Sequence, residues 1–272
     1  LLYAKFISSL VVEKKLLHCT NKAVARIIEH SARMADHQDR LSLHAADIAN
    51  LLRESDFWAR QAGAKLISEV HVERALESAR YRSSRIRDQF YDSIRDGTTL
   101  VTTSGTCVGQ VNALSVLSTG GFEFGLSNRV TATCYYGDGA VMDIERDVKL
   151  GGNLHSKGVM ILSSWLASHF AVNDPMHLST SLTFEQNYGE VDGDSASLAE
   201  LCALISSLSG IPVRQDLAIT GSVNQFGEIQ PIGGVNEKVE GFYKLASKIA
   251  RASEYIVMIP VQNIKHLMLD LD

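Results

Sequence analysis

Through residues 1–95 the apolar positions recur every three to four residues. Val24, Ile27, Ile28 and Met34 share one face of an amphipathic helix, and Ile48, Leu51, Leu52 and Trp58 mark a second. Near "ISEVHVERALESARYRSSRIR" a third begins, with Val72, Ala75, Leu76 and Ala79 on one stripe. No proline interrupts this stretch, so the pattern predicts an all-α segment of three or four helices. The period changes after "IRDGTTL", and the helical segment is expected to give way to a sheet between about 90 and 100. From 99 to 150 apolar residues sit in β-branched runs, "TTLVTT", "RVTATCYY" and "AVMDIERDV", separated by glycine turns. "HSKGVMILSSWLASHF" returns to helical spacing, "LSTSLTF" alternates as a strand, and the helix after Ser195 stops at Gly210 and Pro212. "LAITGSV" and "YIVMIP" read as strands and "NEKVEGFYKLASKIA" as a helix. The prediction is an α-helical domain over 1–95 and an α/β domain with a mixed sheet over 96–272.

Composition narrows the class. A chain of 272 residues, 45% hydrophobic and 21% charged, suits about two soluble domains. No apolar run approaches the ~18 residues of a membrane span, and no signal-peptide pattern opens the chain. The first residues, "LLYAKFISSL", lack methionine, so the chain is expected to be a piece without its own N-terminus. Cys19, Cys107, Cys134 and Cys202 are widely spaced without a CxxC. That favours reduced thiols in the cytoplasm over disulfides or a cysteine zinc site. The net charge of −5 divides unevenly: residues 1–95 carry 16 Lys and Arg against 12 Asp and Glu, and 96–272 carry 10 against 19. "RYRSSRIR" (80–87) reads as a solvated helix face. Nucleic acid is neither required nor excluded by this charge.

Candidate chemistry centres on "VDGDSASLAE". Ser195 stands between a tight acidic turn and a helical pattern, among the free N–H groups of a helix start that can stabilise an oxyanion. An ordinary N-cap serine is the competing reading. A nucleophilic serine needs a base, and only His266 follows it. His155, His169 and His177 lie upstream, and spacing alone does not exclude them, His155 foremost. A lysine is the other solution, provided burial keeps it neutral. Lys238 in "PIGGVNEKVEGFYKLA" shares a helix face with Phe242 and Leu245, and two glycines precede it that would let the backbone pass close to another segment.

"GDSASLAELCALISSLSGIPVRQDLAITGSVNQFGEIQPIGGVNEKVEGF" resembles the proteolytic domain of the Lon proteases. The resemblance implies that Ser195 and Lys238, 43 residues apart, form a catalytic Ser–Lys dyad. It implies that the Thr220 hydroxyl helps hold the lysine and that Asp192 is an acidic supporting residue near the site. Asp194 precedes the serine where the common soluble type has proline, so the chain looks closer to the B-type branch. "HSKGVMILSSWL" and "TFEQNYGEVDGDSAS" point to the same branch, and within it to bacterial Lon-related ATP-dependent proteases. The resemblance covers roughly 96–265. It extends to the first half, where "NKAVARIIEHSARMADHQDRLSLHAADIANLLRESDFWA" and "ISEVHVERALE" look like the lid that ends an AAA+ ATPase module. A sensor arginine is implied there, with Arg33 and Arg40 as candidates. Two features depart from the branch: "ASKIARASEYIVMIP" lacks the usual glycine turn, and the chain stops at "HLMLDLD", short of a final strand and helix.

The expected function is that of an ATP-dependent serine endopeptidase acting on unfolded, tagged or damaged proteins, assembled as a homo-hexamer in the cytoplasm. No phosphate loop of the Gly-x-x-x-x-Gly-Lys-Ser/Thr type is present, so ATP and magnesium are expected to bind an ATPase core outside this chain. No cofactor or metal is expected within the chain, and no membrane. Two rival readings fit parts of the chain. One is an AAA+ remodelling or nucleic-acid-associated protein keeping a Lon-like domain as a structural ring, which has no reason to keep Ser195 and Lys238 together. The other is a GDSL-type esterase, which needs a late Asp-x-x-His that is missing.

Overall fold

The computed structural model describes residues 1–120, 122–171, 177–249 and 255–270, with the backbone alone at 248 and 249. It divides into two compact units, Leu1–Asp88 with Lys265–Met268, and Gln89–Ile264 with Leu269–Asp272.

The first unit is helical. It holds α1 (Leu2–Glu13), α2 (Asn21–Met34), α3 (Ala45–Gln61), α4 (Glu69–Ser83) and the start of α5 (Arg85–Arg95). The caps are written in the sequence. The Thr20 side chain accepts the Ala23 N–H at 3.2 Å to open α2, and a Ser68–His71 capping box opens α4. The predicted stripes meet in one core, where Ile27, Ile48, Leu52, Val72 and Ala75 are wholly buried. The helix α1 adds Ile7, Leu10 and Val11 to it. "RYRSSRIR" is not one helix face, because α4 ends at Ser83 and α5 starts two residues later. Within it Arg82 makes a bidentate pair with Glu54 at 2.7 Å on both arms.

The division between the units falls inside α5, a few residues before the expected boundary at 95/96, and α5 itself ends at Arg95. Residues 95–98 are exposed. "TTLVTT" forms no strand. The first pairing is β1 (Thr106–Cys107), followed by the long hairpin of β2 (Gln110–Thr119) and β3 (Phe122–Tyr136). "AVMDIERDV" breaks after β4 (Val141–Asp143) into the short α6 (Ile144–Asp147). Then come α7 (Asn153–Phe170), β5 (Leu178–Phe184), α8 (Ser197–Ser209), β6 (Val213–Arg214) and β7 (Leu217–Ile219). After these follow β8 (Ser222–Val223), β9 (Ile229–Gln230), α9 (Val235–Ile249) and β10 (Ile256–Met258).

The main sheet is mixed, in the order β10-β7-β2-β3-β5-β4. The pairs β10–β7, β7–β2 and β4–β5 are parallel and the others antiparallel. Alternate residues of a strand point to opposite faces, and both faces here are covered. Val111 and Ala113 of β2 bury with Leu162 and Leu166 of α7 and Leu204 of α8. Leu114 buries with Phe242 of α9 and Ala218 of β7. Burying a side chain of that size fully contributes about 1.5–3 kcal/mol, so α9 is anchored by Phe242 as firmly as α8 is by Leu204. The connection at 250–254, where the sequence lacks the expected glycine turn, lies outside the described residues. No helix among the described residues is long and apolar enough to cross a membrane.

Candidate active site

The predicted strand "LAITGSV" is two strands, broken at Thr220–Gly221. The break exposes main-chain groups that catch the segment before α8. Gly221 N–H donates to the Ser195 carbonyl at 2.8 Å, and Leu198 N–H returns a bond to the Gly221 carbonyl at 3.0 Å. Ser195 is thereby pinned by its main chain, with its side chain directed elsewhere. The cap of α8 is Ala196, which makes no side-chain cap bond, so Ser195 is not a capping serine.

Its hydroxyl meets Lys238. The Nζ of Lys238 donates to Ser195 Oγ at 2.9 Å. Lys238 lies in the first turn of α9 and is only 3% exposed. Burial pulls its ammonium down from 10.5 to about 8, partly opposed by the carboxylates of Asp194 and Glu237. A close approach of two backbones sets where α9 starts. A Cβ on Gly241 would fall 2.5 Å from the Gly125 carbonyl oxygen, and one on Gly125 would fall 2.0 Å from that of Glu237. Only a glycine pair allows this helix to lie so near β3. The close approach expected of Gly233 and Gly234 is not where the backbones meet. Gly234 has φ +62° and abuts Val116, but nothing lies within 4 Å of a Cβ at Gly233. The entry loop is fixed from outside by Asn263, whose amide pairs with both the N–H and the carbonyl of Ile232, at 2.9 and 2.8 Å.

Two expected supports sit differently. Thr220 is fully buried, but its hydroxyl donates to the Ser195 carbonyl at 3.1 Å and not to the lysine. It holds the nucleophile's backbone. Asp192 is exposed, and its carboxylate is held below the usual range by the N–H groups of Gly193, Leu154 and His155, so it ties the acidic turn to the start of α7. Of the two carboxylates that act on Lys238, Asp194 has the larger effect, and it also accepts from Ser222 Oγ at 2.7 Å. In the sequence Asp194 stood out only as a replacement for proline. Gly193, at φ +91°, makes the turn that separates the two acids.

The histidines are committed elsewhere. His155 is buried between Asp143 and Glu200. Burial opposes its protonation, but the two carboxylates outweigh that and raise its affinity for a proton. His169 stacks on Trp165, ring centroids 4.2 Å apart, and His177 is exposed just before β5. In the helical unit Arg33 donates to the Met268 carbonyl at 2.8 Å, and Arg40 is exposed. The four cysteines are free thiols.

The arrangement is a half-buried serine hydroxyl joined to a desolvated amine, beside a helix start. It can support nucleophilic attack on a carbonyl. Comparison with known proteins gives it a context. Residues 18–82 match the family model described as archaeal LonB, AAA+ ATPase LID domain, and residues 139–270 match that of the Lon protease (S16) C-terminal proteolytic domain. A Lon protease homolog of Escherichia coli (strain K12) is 41% identical over 245 residues, which is 89% of this chain and 41% of that protein. One of Haemophilus influenzae is 39% identical over 76% of this chain and 35% of its own. The archaeal Lon protease of Archaeoglobus fulgidus is 29% identical over 98% of this chain and 41% of its own. The chain thus spans about two-fifths of the length of these relatives.

Proposed function

The chain belongs to the Lon protease family, and from that premise we propose that it carries the peptide-cleaving part of an ATP-dependent serine endopeptidase. The observation that carries the reading is the 2.9 Å contact between Ser195 Oγ and a buried Lys238 amine. In its neutral form Lys238 accepts the Ser195 proton while Oγ attacks a peptide carbonyl. The tetrahedral oxyanion is met by backbone N–H groups around Ser195. We assign this to the N–H groups of Ser195 and Ala196, which make no hydrogen bond among the described residues, whereas those of Ser197 and Leu198 are already engaged. Collapse expels the amine, which takes its proton from Lys238, and leaves an ester on Ser195. Water, deprotonated by the same lysine, then hydrolyses the ester and restores both groups.

The helical unit is the lid of an AAA+ module whose nucleotide site, with ATP and magnesium, lies outside this chain. The substrates we assign are unfolded, damaged or tagged polypeptides delivered by a homo-hexameric ring in the cytoplasm. No metal enters the chemistry. The test is degradation of a fluorescently labelled unfolded protein by the complete ATP-dependent enzyme and by its Ser195→Ala variant. Loss of degradation with ATP hydrolysis retained supports the proposal. Unchanged degradation, or none by the wild type under conditions where it remodels the substrate, would favour a purely structural role for this domain.

A further inference from the structure

Four ionisable side chains outside the Ser–Lys site meet in the interior of the proteolytic unit. Asp143 ends β4, Glu145 opens α6, His155 lies in the first turn of α7, and Glu200 lies near the start of α8. They are 0%, 3%, 2% and 1% exposed. His155 Nε2 lies 3.1 Å from Asp143 Oδ2, and its Nδ1 lies 3.4 Å from Glu200 Oε1. Glu145 spends one oxygen on the protein. Its Oε1 accepts from Thr183 Oγ1 at 2.9 Å and from the Phe184 N–H at 2.8 Å. Among the described residues its Oε2 and Asp143 Oδ1 have no hydrogen-bond donor, and Asp143 Oδ2 and Glu200 Oε1 face only the ring nitrogens of His155. Bare carboxylate oxygens sealed from water are costly unless positive charge stands against them. One histidine faces all three carboxyl groups.

One ligand atom from each of Asp143, Glu145 and His155 lies within 4.8 Å of the others, the spread that a single ion draws together. We propose that Asp143, Glu145 and His155 bind one divalent cation of the zinc–manganese class. Two carboxylates and one imidazole are the donor set such ions accept, and the nitrogen donor disfavours magnesium or calcium. Glu200 faces the ring nitrogen remote from Asp143, as outer carboxylates do behind metal-bound imidazoles, and fixes its orientation. The ion is a clamp and not a reactant. It joins the β4–α6 corner to the first turns of α7 and α8, where Gly152 N–H and Leu154 N–H already hold the turn at Val191 and Asp192 that leads to Ser195. The widely spaced cysteines have no part in this site.

The test uses the whole chain, stripped with EDTA, dialysed and titrated with ZnCl2 or MnCl2, with MgCl2 in parallel. We expect about one zinc or manganese per chain by elemental analysis. The melting temperature of the proteolytic unit should rise by roughly 5 °C or more at a hundredfold excess over the dissociation constant. His155→Gln and Glu145→Gln should weaken binding by more than about 100-fold, and Glu200→Gln by roughly 10–100-fold. Because these buried variants can fail to fold, wild-type crystals grown with MnCl2 supply a second reading, an anomalous scattering peak among the three side chains. No stoichiometric zinc or manganese, a peak elsewhere, or a folded His155→Gln variant binding as tightly as wild type would overturn the proposal. A cluster held together by shared protons gives the first of these results. None of the readings depends on proteolysis, so failure here leaves the Ser195–Lys238 assignment untouched.

Discussion

Replacing Lys238 by arginine keeps the positive charge and approximate length but removes the capacity to give up a proton. The structure sets the size of the effect. Burial brings the lysine from 10.5 to about 8. At pH 7 about a tenth of the chains then carry the neutral amine, against roughly 0.03% for an unperturbed lysine. The wild-type rate should rise about tenfold per pH unit below 8 and level off above it, because the reactive form is the deprotonated one. Lys238→Arg should fall to background at every pH. The assay is hydrolysis of a short fluorogenic peptide over pH 6–10, with ATP turnover measured alongside and folding followed by circular dichroism. Two results would refute the reasoning. One is a folded arginine variant keeping more than about a tenth of the wild-type rate, a loss below roughly 1.4 kcal/mol. The other is a wild-type profile that is flat between pH 6 and 9.

The same burial has a cost in stability. Below pH 8 the folded chain must hold an ammonium it would rather release, at about 3 kcal/mol for a fall from 10.5 to about 8, and the cost fades as the pH rises between those values. Lys238→Met should therefore raise the melting temperature at pH 7 and lose its advantage by about pH 10.5; equal melting curves for the two proteins at pH 7 would count against it. Asp194→Asn removes a carboxylate that supports the ammonium, so the acid limb of the rate profile should move to lower pH, and an upward move would contradict the assignment. Gly241→Ala drives a Cβ into the Gly125 backbone and should cut peptide hydrolysis by about 100-fold through displacement of the lysine, while Gly233→Ala, with open space around it, should leave the rate unchanged. Limited proteolysis should nick the exposed residues 95–98 before it cuts inside α8, as mass spectrometry of the first fragments would reveal.

Periodicity located the elements that bury one continuous stripe. Val24, Ile27 and Ile28 gave α2, Leu162 and Leu166 gave α7, and "LSTSLTF" is β5 to the residue. It failed where local preference and tertiary demand part company. "TTLVTT" has the β-branched composition of a strand but forms none, and all of it except the buried Thr103 is exposed or half-exposed loop after the α5 terminus. The helix α1 buries only Ile7, Leu10 and Val11, a face too short to stand out from the apolar residues around it. "LAITGSV" reads as continuous from its apolar residues, and the single glycine in it, Gly221, is the only local sign of a break. At the break the main chain of Gly221 bonds Ser195 and Leu198 in place of a neighbouring strand.

The site shows the same division between what spacing carries and what packing decides. Ser195 and Lys238 were legible because each has a local signature, an acidic glycine turn before a helix and a lysine on an apolar helix face. Their supports were not, because a hydroxyl or carboxylate does not announce which neighbour it will meet. Thr220 was expected on the lysine and instead grips the carbonyl of the serine; Asp192 was expected at the site and instead anchors α7. The glycines that matter most, Gly125 and Gly241, lie 116 positions apart, and no local pattern joins them. Asp194 gathers these points. Its proximity raises the affinity of Lys238 for a proton, against the burial that lowers it, and its bond to Ser222 ties that charge to β8. A proline at 194 would offer neither. The lysine's working pH is therefore set by a balance between burial and two carboxylates, Asp194 foremost and Glu237 beside it, so a single substitution at 194 tunes the base without replacing it.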